Sequence, residues 1–448
     1  MSKQHFYIFL LLFLAGQQEI AGQAVERPEN TAPFNWRYFQ VNSGISGARA
    51  NSLGGAFVGV ADDATAATIN PAGLTVLTRP ETYAHIRLRG SDIQELSGNP
   101  HHWSEKRSYY NFETDLSYGS VVIPLRQYTF AAHWDIFTRA ANEFEYQQVT
   151  RPNIETPLEL EELLGGRVTL PGRKVHFDLQ IINMGLAVAR TIPKLPMSVG
   201  FSFQVTRLNF SLTEKLFFHN SLLQPATSSR PVFYNRPQNL YSLRTIDDND
   251  WDFSYSVGVL LKPTSNVGIG LVYHERPQLK IHSEIFFPTY FLNETAFLPA
   301  TSEIENIYLK LPDSFGVGIG CRLTKWFRMS ADLMRINYAD ILETYPLKNL
   351  YQLAQKDTYE FHLGMEYLIP LRKFDLALRG GFFYSPFHYP FTKSELPACQ
   401  ILYPQEKDRT YFTCGGGIGI NKIKSDLSFK LASHLREVES IISIGIRL

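Results

Sequence analysis

A two-residue alternation of side-chain character, recurring in segments about ten residues long, limits what this chain can become. In 313–323, DSFGVGIGCRL, Phe315, Val317, Ile319, Cys321 and Leu323 share one face, and Ser314, Gly316, Gly318, Gly320 and Arg322 share the other. Met197, Val199, Phe201, Phe203 and Val205 alternate in the same way with Ser198, Gly200, Ser202, Gln204 and Thr206. At the C-terminus Ile442, Ile444, Ile446 and Leu448 alternate with Ser443, Gly445 and Arg447. Such segments are strands with two unlike faces. Composition agrees: aromatics reach 13% and charged residues only 19%, yet mean hydropathy is −0.15. Apolar residues are abundant but diluted one for one, unlike a disordered chain or a bundle of membrane helices. Lys+Arg and Asp+Glu are 43 each, which leaves no basic footprint for nucleic acid.

Fourteen candidate strands follow, at roughly 81–89, 115–125, 127–137, 177–190, 197–210, 252–262, 266–276, 313–323, 327–338, 358–368, 375–385, 411–421, 426–436 and 439–448. Most are near the length that a tilted transmembrane strand needs, and the even number suits a bacterial outer-membrane barrel. Short turns, such as Pro263-Thr264-Ser265, alternate with long segments, including 211–251 and 277–312. A soluble β-sandwich has no reason to gather every long connection at one end, whereas a barrel with short periplasmic turns does. The connection near 436–439 is short and breaks the pattern.

The strand parity assigns the apolar face to lipid. It points Asp332, Glu360, His362, Glu366, Arg379, Lys430 and Arg447 inward, with His133 and His274. A structural salt-bridge network filling the lumen is the plainer use of these charges. His362 and Glu366 are expected to pair structurally rather than to hold a metal. Arg335 falls on the apolar parity, so either a bulge resets the register there or it lies at the interface. No catalytic grouping and no cofactor motif is interpretable.

Residues 1–24 read as a signal peptide, with Lys3, an apolar run of 11 from Phe6 to Gly16, and small residues at Ala21, Gly22 and Ala24. Residues 25–80 form an N-terminal segment, and 81–448 the barrel. The three cysteines exclude a disulfide framework, leaving Cys399 and Cys414 either bridged or as two free thiols. Within 43–74 there are six Gly and eight Ala among 32 residues, too small to cover a lipid-facing surface but suited to a compact plug. Asp62 and Asp63 are placed to cap a turn through 64–69, and Asn70 before Pro71 ends it.

The segment GARANSLGGAFVGVADDATAATINPAGL, with Asn70, Pro71 and Ala72, resembles the N-terminal hatch signature of the long-chain fatty-acid transporter (FadL/TodX-type) outer-membrane family. LPDSFGVGIGCRLTKWFRMSADLMRINYAD (311–340) and ALRGGFFYSPF (377–387) resemble later segments of that family. The resemblance implies an all-β fold, a 14-stranded antiparallel transmembrane β-barrel plugged by an N-terminal hatch, in a Gram-negative outer membrane. It implies passive uptake of hydrophobic compounds, with long-chain fatty acids the first-choice cargo and aromatic hydrocarbons the other. Capture in the third and fourth extracellular loops, hatch rearrangement and lateral exit would follow. The implied partners are outer-membrane lipids, the hydrophobic substrate and the outer-membrane assembly machinery. Relatives sharing the hatch signature serve secretion or assembly, so a non-transporting accessory barrel is the alternative. Leu448 stands where such barrels commonly end in Phe.

The apolar fourth loop, IFFPTYFLNETAFLPA (285–300), is one candidate ligand contact, through Phe286, Phe287, Tyr290, Phe291 and Phe297. A loop folded over its own small core is the equal alternative. For a carboxylate head group Arg379 and then Lys430 are the expected cations, since both sit near mid-strand on the interior parity.

Overall fold

The computed structural model describes residues 47–96, 106–146, 149–152, 167–170, 172–217, 239–291, 297–343, 348–349, 352–393, 408–433 and 438–448. The signal-peptide reading, Cys399 and the short connection before the last strand lie outside them. Fourteen strands close into one antiparallel barrel: β1 (Glu81–Leu96), β2 (Lys106–Leu125), β3 (Tyr128–Tyr146), β4 (Gly172–Thr191), β5 (Met197–Phe217), β6 (Leu240–Thr264), β7 (Val267–Glu275), β8 (Ser314–Arg322), β9 (Phe327–Ile336), β10 (Thr358–Pro370), β11 (Asp375–Ser385), β12 (Arg409–Ile420), β13 (Ile423–Ala432) and β14 (Val438–Arg447). The ring shuts where β14 pairs with β1, with Glu81 opposite Arg447 and Gly90 opposite Val438.

Every sequence-derived strand has a counterpart, and the parity holds. Phe315, Val317, Ile319, Ile444 and Ile446 face outward, whereas Asp332, Glu360, His362, Glu366, His133 and His274 are buried inside. The 426–436 segment was placed late: β13 begins at Ile423, because a two-residue turn at Asn421-Lys422, with Asn421 at φ 53°, replaces a longer one. Arg335 needs no bulge. β8 and β9 pair without a register shift from Ser314–Ile336 to Arg322–Arg328, and Arg335 is exposed on the outside, bonded to Asp357 at 3.1 Å.

The largest departure concerns the long connections. β2 to β6 run for 19 to 25 residues, well beyond a membrane span, so much of 211–251 is wall rather than loop. The reason lies in the side-chain pattern. Along β5 the inner face is polar at Ser198, Ser202, Gln204 and Thr206, then apolar at Leu208, Phe210 and Leu212; the outer face does the opposite. β4 inverts at the same level, from inward Phe177, Leu179 and Ile181 to outward Met184 and Leu186. Below the inversion the barrel is solvated by lipid. Above it the same strands enclose a water-soluble apolar core.

The 277–312 connection is likewise a β-hairpin, with arms Gln278–Phe287 and Thr301–Lys310. Its register continues that of β7 and β8, since His274 pairs with Ser314 and Gln278 with Lys310. Pro277 and Pro312, which lack the N–H a ladder needs, interrupt the two strands at one level.

Residues 47–77 fill the lower lumen with α1 (Ala48–Ser52), α2 (Ala66–Ile69) and a 3-10 turn (Pro71–Val76). Asp63 accepts from the Thr65 amide at 2.9 Å, while Asp62 turns to cations instead of capping. Asn70 is extended at φ −150°, ψ 98°, ending α2, and its Oδ1 accepts from the Ala72 amide at 3.2 Å. The small residues of this plug let its backbone touch the wall. Gly200, Gly258, Gly270, Gly318, Gly364 and Gly381 form the facing ring, and a Cβ on any of them would overlap plug atoms.

Gly270→Val, which would collide with the Val58 carbonyl oxygen, is therefore expected to leave the heat-modifiable barrel intact while exposing residues 47–77 to limited proteolysis. Unchanged proteolytic protection would refute the close-contact role.

Candidate functional site

The floor of the lumen is held by charges from both plug and wall. Asp332 on β9 accepts from the Phe57 and Val58 amides at 2.6 and 2.7 Å. His362 on β10 meets the Gly54 carbonyl at 2.7 Å through Nδ1, and Asn70 donates to the Val58 and Val259 carbonyls at 2.9 and 3.3 Å. Arg49 of α1 reaches Glu366 at 3.0 Å and also pairs with Asp62; Arg328 reaches Asp62 at 2.8 Å. Burial alone would raise the Asp62 carboxyl, but Arg49 and Arg328 outweigh it and hold the group below the usual carboxylate range.

Arg379 belongs to this floor. Its Nε meets Glu366 at 2.8 Å and its Nη1 meets Asp426 at 2.7 Å, both buried. Its charge is already taken up by two buried carboxylates of the floor. His362 and Glu366 also do not pair with each other: His362 sits 3.7 Å from Glu360, and Glu366 is shared among arginines. Among the described residues no cluster of His, Cys, Asp and Glu could hold a metal ion.

Above the floor lies a cavity of about 160 Å³. Gly55, Val58, Thr68 and Ile69 of the plug form its base. The wall contributes a ring of charge (Arg87, Arg89, Asp135, Arg139, Arg276, Lys430 and Glu439) and an apolar side of Phe137, Met334, Ile336, Tyr338, Phe383 and Tyr411. Its roof is the extracellular core, where Phe177, Leu179, Ile181, Leu208, Phe210, Leu279 and Ile307 pack together. The lumen thus passes from apolar above to cationic below.

Most of these charges are compensated. Lys430 sits 3.1 Å from Glu439 and 5.5 Å from the Tyr411 ring; Arg139 lies 2.5 Å and Arg87 3.9 Å from Asp115. Arg276 differs. Its guanidinium stacks 4.9 Å above the Phe137 ring and makes no direct ion pair among the described residues, although the buried Asp135 carboxylate acts on its charge at longer range. Its position follows from the chain interruption at Pro277, which takes residue 276 out of the ladder.

The wall beside Arg276 is incomplete. β2 pairs with β3 only from Tyr118–Asp135 to Leu125–Tyr128, although β2 continues along β1 to Lys106 and β3 along β4 to Tyr146. A bulge between Ile136 and Thr138 frees Phe137 at the start of the separation. The slot is crossed by side chains: Arg139 to Asp115, and Glu113 accepting the Ala141 amide at 3.0 Å. Phe137, Thr138 and Arg139 line both slot and cavity.

Of the sequence-chosen ligand residues, Lys430 lines the cavity, and Arg379, Phe286 and Phe287 do not. Phe287 is 1% exposed and packs with Leu216, Ile285 and Tyr241, while its neighbour Phe286 is 43% exposed on the outside of the hairpin. Tyr290 and Phe291 pair by backbone with Leu298 and Phe297 beyond it. Ile285 and Phe287 thus belong to a small core of their own, and neither lines the cavity. The missed residues, Arg276 and Phe137, had weak signals: an Arg-Pro pair ending a strand, and a bulge visible only through pairing.

These features define a plugged 14-stranded transmembrane barrel with a closed floor, an apolar vestibule and an interrupted wall. A family model described as "outer membrane protein transport protein (OMPP1/FadL/TodX)" matches residues 152–432, and the chain belongs to that family. It is an outer-membrane channel of the Gram-negative type, for uptake of hydrophobic compounds. No curated protein sequence matches it. Among solved structures, the Pseudomonas putida toluene transporter TodX shares 14% identity at TM-score 0.59, over 91% of this chain and 99% of that one. The Ralstonia pickettii toluene transporter TbuX shares 16% at 0.57, over 92% and 100%. A Pseudomonas aeruginosa FadL homologue shares 12% at 0.54, over 88% and 96%. At these identities the likeness is one of fold.

Glu366→Gln leaves Arg49, Arg328 and Arg379 short of a shared buried carboxylate, and is expected to cost about 3 kcal/mol, read from the urea midpoint of the folded gel band. Because the Asp62 carboxyl is depressed, its contribution is complete above the ordinary carboxylate pKa and is lost only as pH falls through the lower folded value. Protease protection of residues 47–77 should therefore persist at mildly acidic pH and fail only in strong acid.

Proposed function

We propose that this channel takes up long-chain fatty acids passively, and that the cargo leaves sideways through the slot between β2 and β3. The observation that carries the reading is the Arg276 guanidinium, stacked on Phe137 where cavity and slot meet, with no direct ion pair and Asp135 acting on it only at longer range. A carboxylate there would be paired, while its chain would lie against Phe137 and the apolar vestibule. A water-filled pore cannot serve such a molecule, since exposing its chain costs about 0.8 kcal/mol per CH₂. Exit through the floor would need the glycine contacts and the Arg49–Glu366–Arg379 network to break together. Exit through the slot needs only side chains to part, and Phe112 and Leu116 stand exposed on its outer side.

A neutral aromatic hydrocarbon, the cargo named for TodX and TbuX, has no use for an unpaired cation. An accessory barrel without cargo would have no use for the slot.

Arg276→Ala is expected to weaken saturable binding of radiolabelled oleate by about tenfold and to leave toluene partitioning unchanged. Equal oleate binding by wild type and variant would remove the head-group role. Cysteines at Asp115 and Arg139, joined by a short bis-maleimide, should abolish oleate uptake into vesicles while retaining binding. Undiminished uptake by the crosslinked barrel would rule out the slot.

A further inference from the structure

The chain is neutral overall, but its charges are not evenly placed. The six short turns join β2 to β3, β4 to β5, β6 to β7, β8 to β9, β10 to β11 and β12 to β13, all at one end of the barrel. Each turn, or the strand end entering it, carries an exposed cation: Arg126, Lys194, Lys262, Lys325, Lys373 and Lys422. None of the six forms an ion pair among the described residues, and no Asp or Glu occurs within the turns themselves. Since Lys+Arg equals Asp+Glu over the whole sequence, this end is a local excess of positive charge balanced elsewhere in the chain.

The neighbours of these cations give the ring its meaning. Five of the six adjoin a large exposed apolar residue: Leu125 beside Arg126, Leu195 beside Lys194, Trp326 beside Lys325, Phe374 beside Lys373 and Ile423 beside Lys422. A surface for an acidic protein needs no such residue next to each charge, and a soluble turn would not expose it. At a bilayer edge the pair is complementary to a lipid, with the apolar side chain against the acyl chains and the ammonium or guanidinium at the phosphate.

We propose that the turn end of the barrel is a binding ring for anionic phospholipids of the periplasmic leaflet, such as phosphatidylglycerol. Five turns supply one cation for a head group and one apolar contact for its chain, and the β6–β7 turn supplies the cation Lys262 alone. The ring fixes the depth of the barrel and selects its lipid neighbours, independently of what the channel carries.

The test uses the purified full-length barrel in detergent, given equimolar phosphatidylglycerol and phosphatidylethanolamine, with retained lipids read by native mass spectrometry. The expected result is about a fivefold preference for phosphatidylglycerol at low salt, from roughly one interfacial cation per lipid. The preference should fall towards parity in about 0.5 M salt. It should also fall in the variant R126Q/K194Q/K262Q/K325Q/K373Q/K422Q, checked for folding by its heat-modifiable band. The salt series on wild type gives the same reading if that variant does not fold. Parity at low salt would overturn the proposal, as would a preference that survives high salt. Displacement of phosphatidylglycerol by equimolar inorganic phosphate would also overturn it, because it would reduce the ring to a simple anion site.

Discussion

A wall inside hydrocarbon must pair its own backbone groups, because lipid offers none. The closed ladder from β1 to β14 meets that demand. It also makes any break in the ladder conspicuous: among the described residues one lies between the upper halves of β2 and β3, and another lies between β6 and the Gln278–Phe287 arm, where Asp248, Asp250 and Asp252 accept the amides of His282, Lys280 and Gln278. The side chains across the first do the work of missing ladder bonds: Glu113 accepts an amide of β3, and Asp115 binds Arg139. Side-chain closures differ from a ladder in one respect. They can separate without unravelling a strand, so the same requirement that shuts the barrel also marks where it can open.

The plug obeys a second constraint, distance. Its backbone sits within contact of six wall strands, β5 to β8, β10 and β11, only because glycines there lack side chains and because the plug is itself Gly- and Ala-rich. The glycines that alternate along the inner face of these strands are the complement of that plug. Charges then fix the contact, through Asp332 and through the arginines around Glu366. A floor assembled this way resists removal as a unit, which is why a side route suits the chain better than an axial one.

Much of the barrel was legible because its strands encode two faces, and the lipid face is repetitive. Phe315 to Ile319 and Ile442 to Ile446 needed no more than parity. The strand extensions were not legible in the same way. At Thr206 and Arg207 the pattern continues with its sign reversed, apolar inside and polar outside, and a search for one polarity reads that as an ending. The hairpin arms were hidden by Pro277 and Pro312, which break the ladder without ending the strands. The partners of Arg379 were hidden for another reason. Parity says that Arg379 points inward, but not that Glu366 and Asp426 are waiting for it.

Arg276 shows what distinguishes a structural cation from a binding one. A buried arginine with two carboxylates is neutralised and fully hydrogen-bonded, and an incoming anion would have to displace a partner already desolvated with it. Arg276 has an aromatic face in direct contact and its carboxylate, Asp135, only at longer range, so its charge is supported without a closed ion pair. It stays in place through its amide, which donates to Asp313 at 2.8 Å, and not through its guanidinium. The backbone therefore positions the residue and leaves the charge for something else. In a lumen whose other cations are largely spoken for, that division of labour singles out residue 276 and not residue 379 as the place where an anionic head group would change the energy of the barrel.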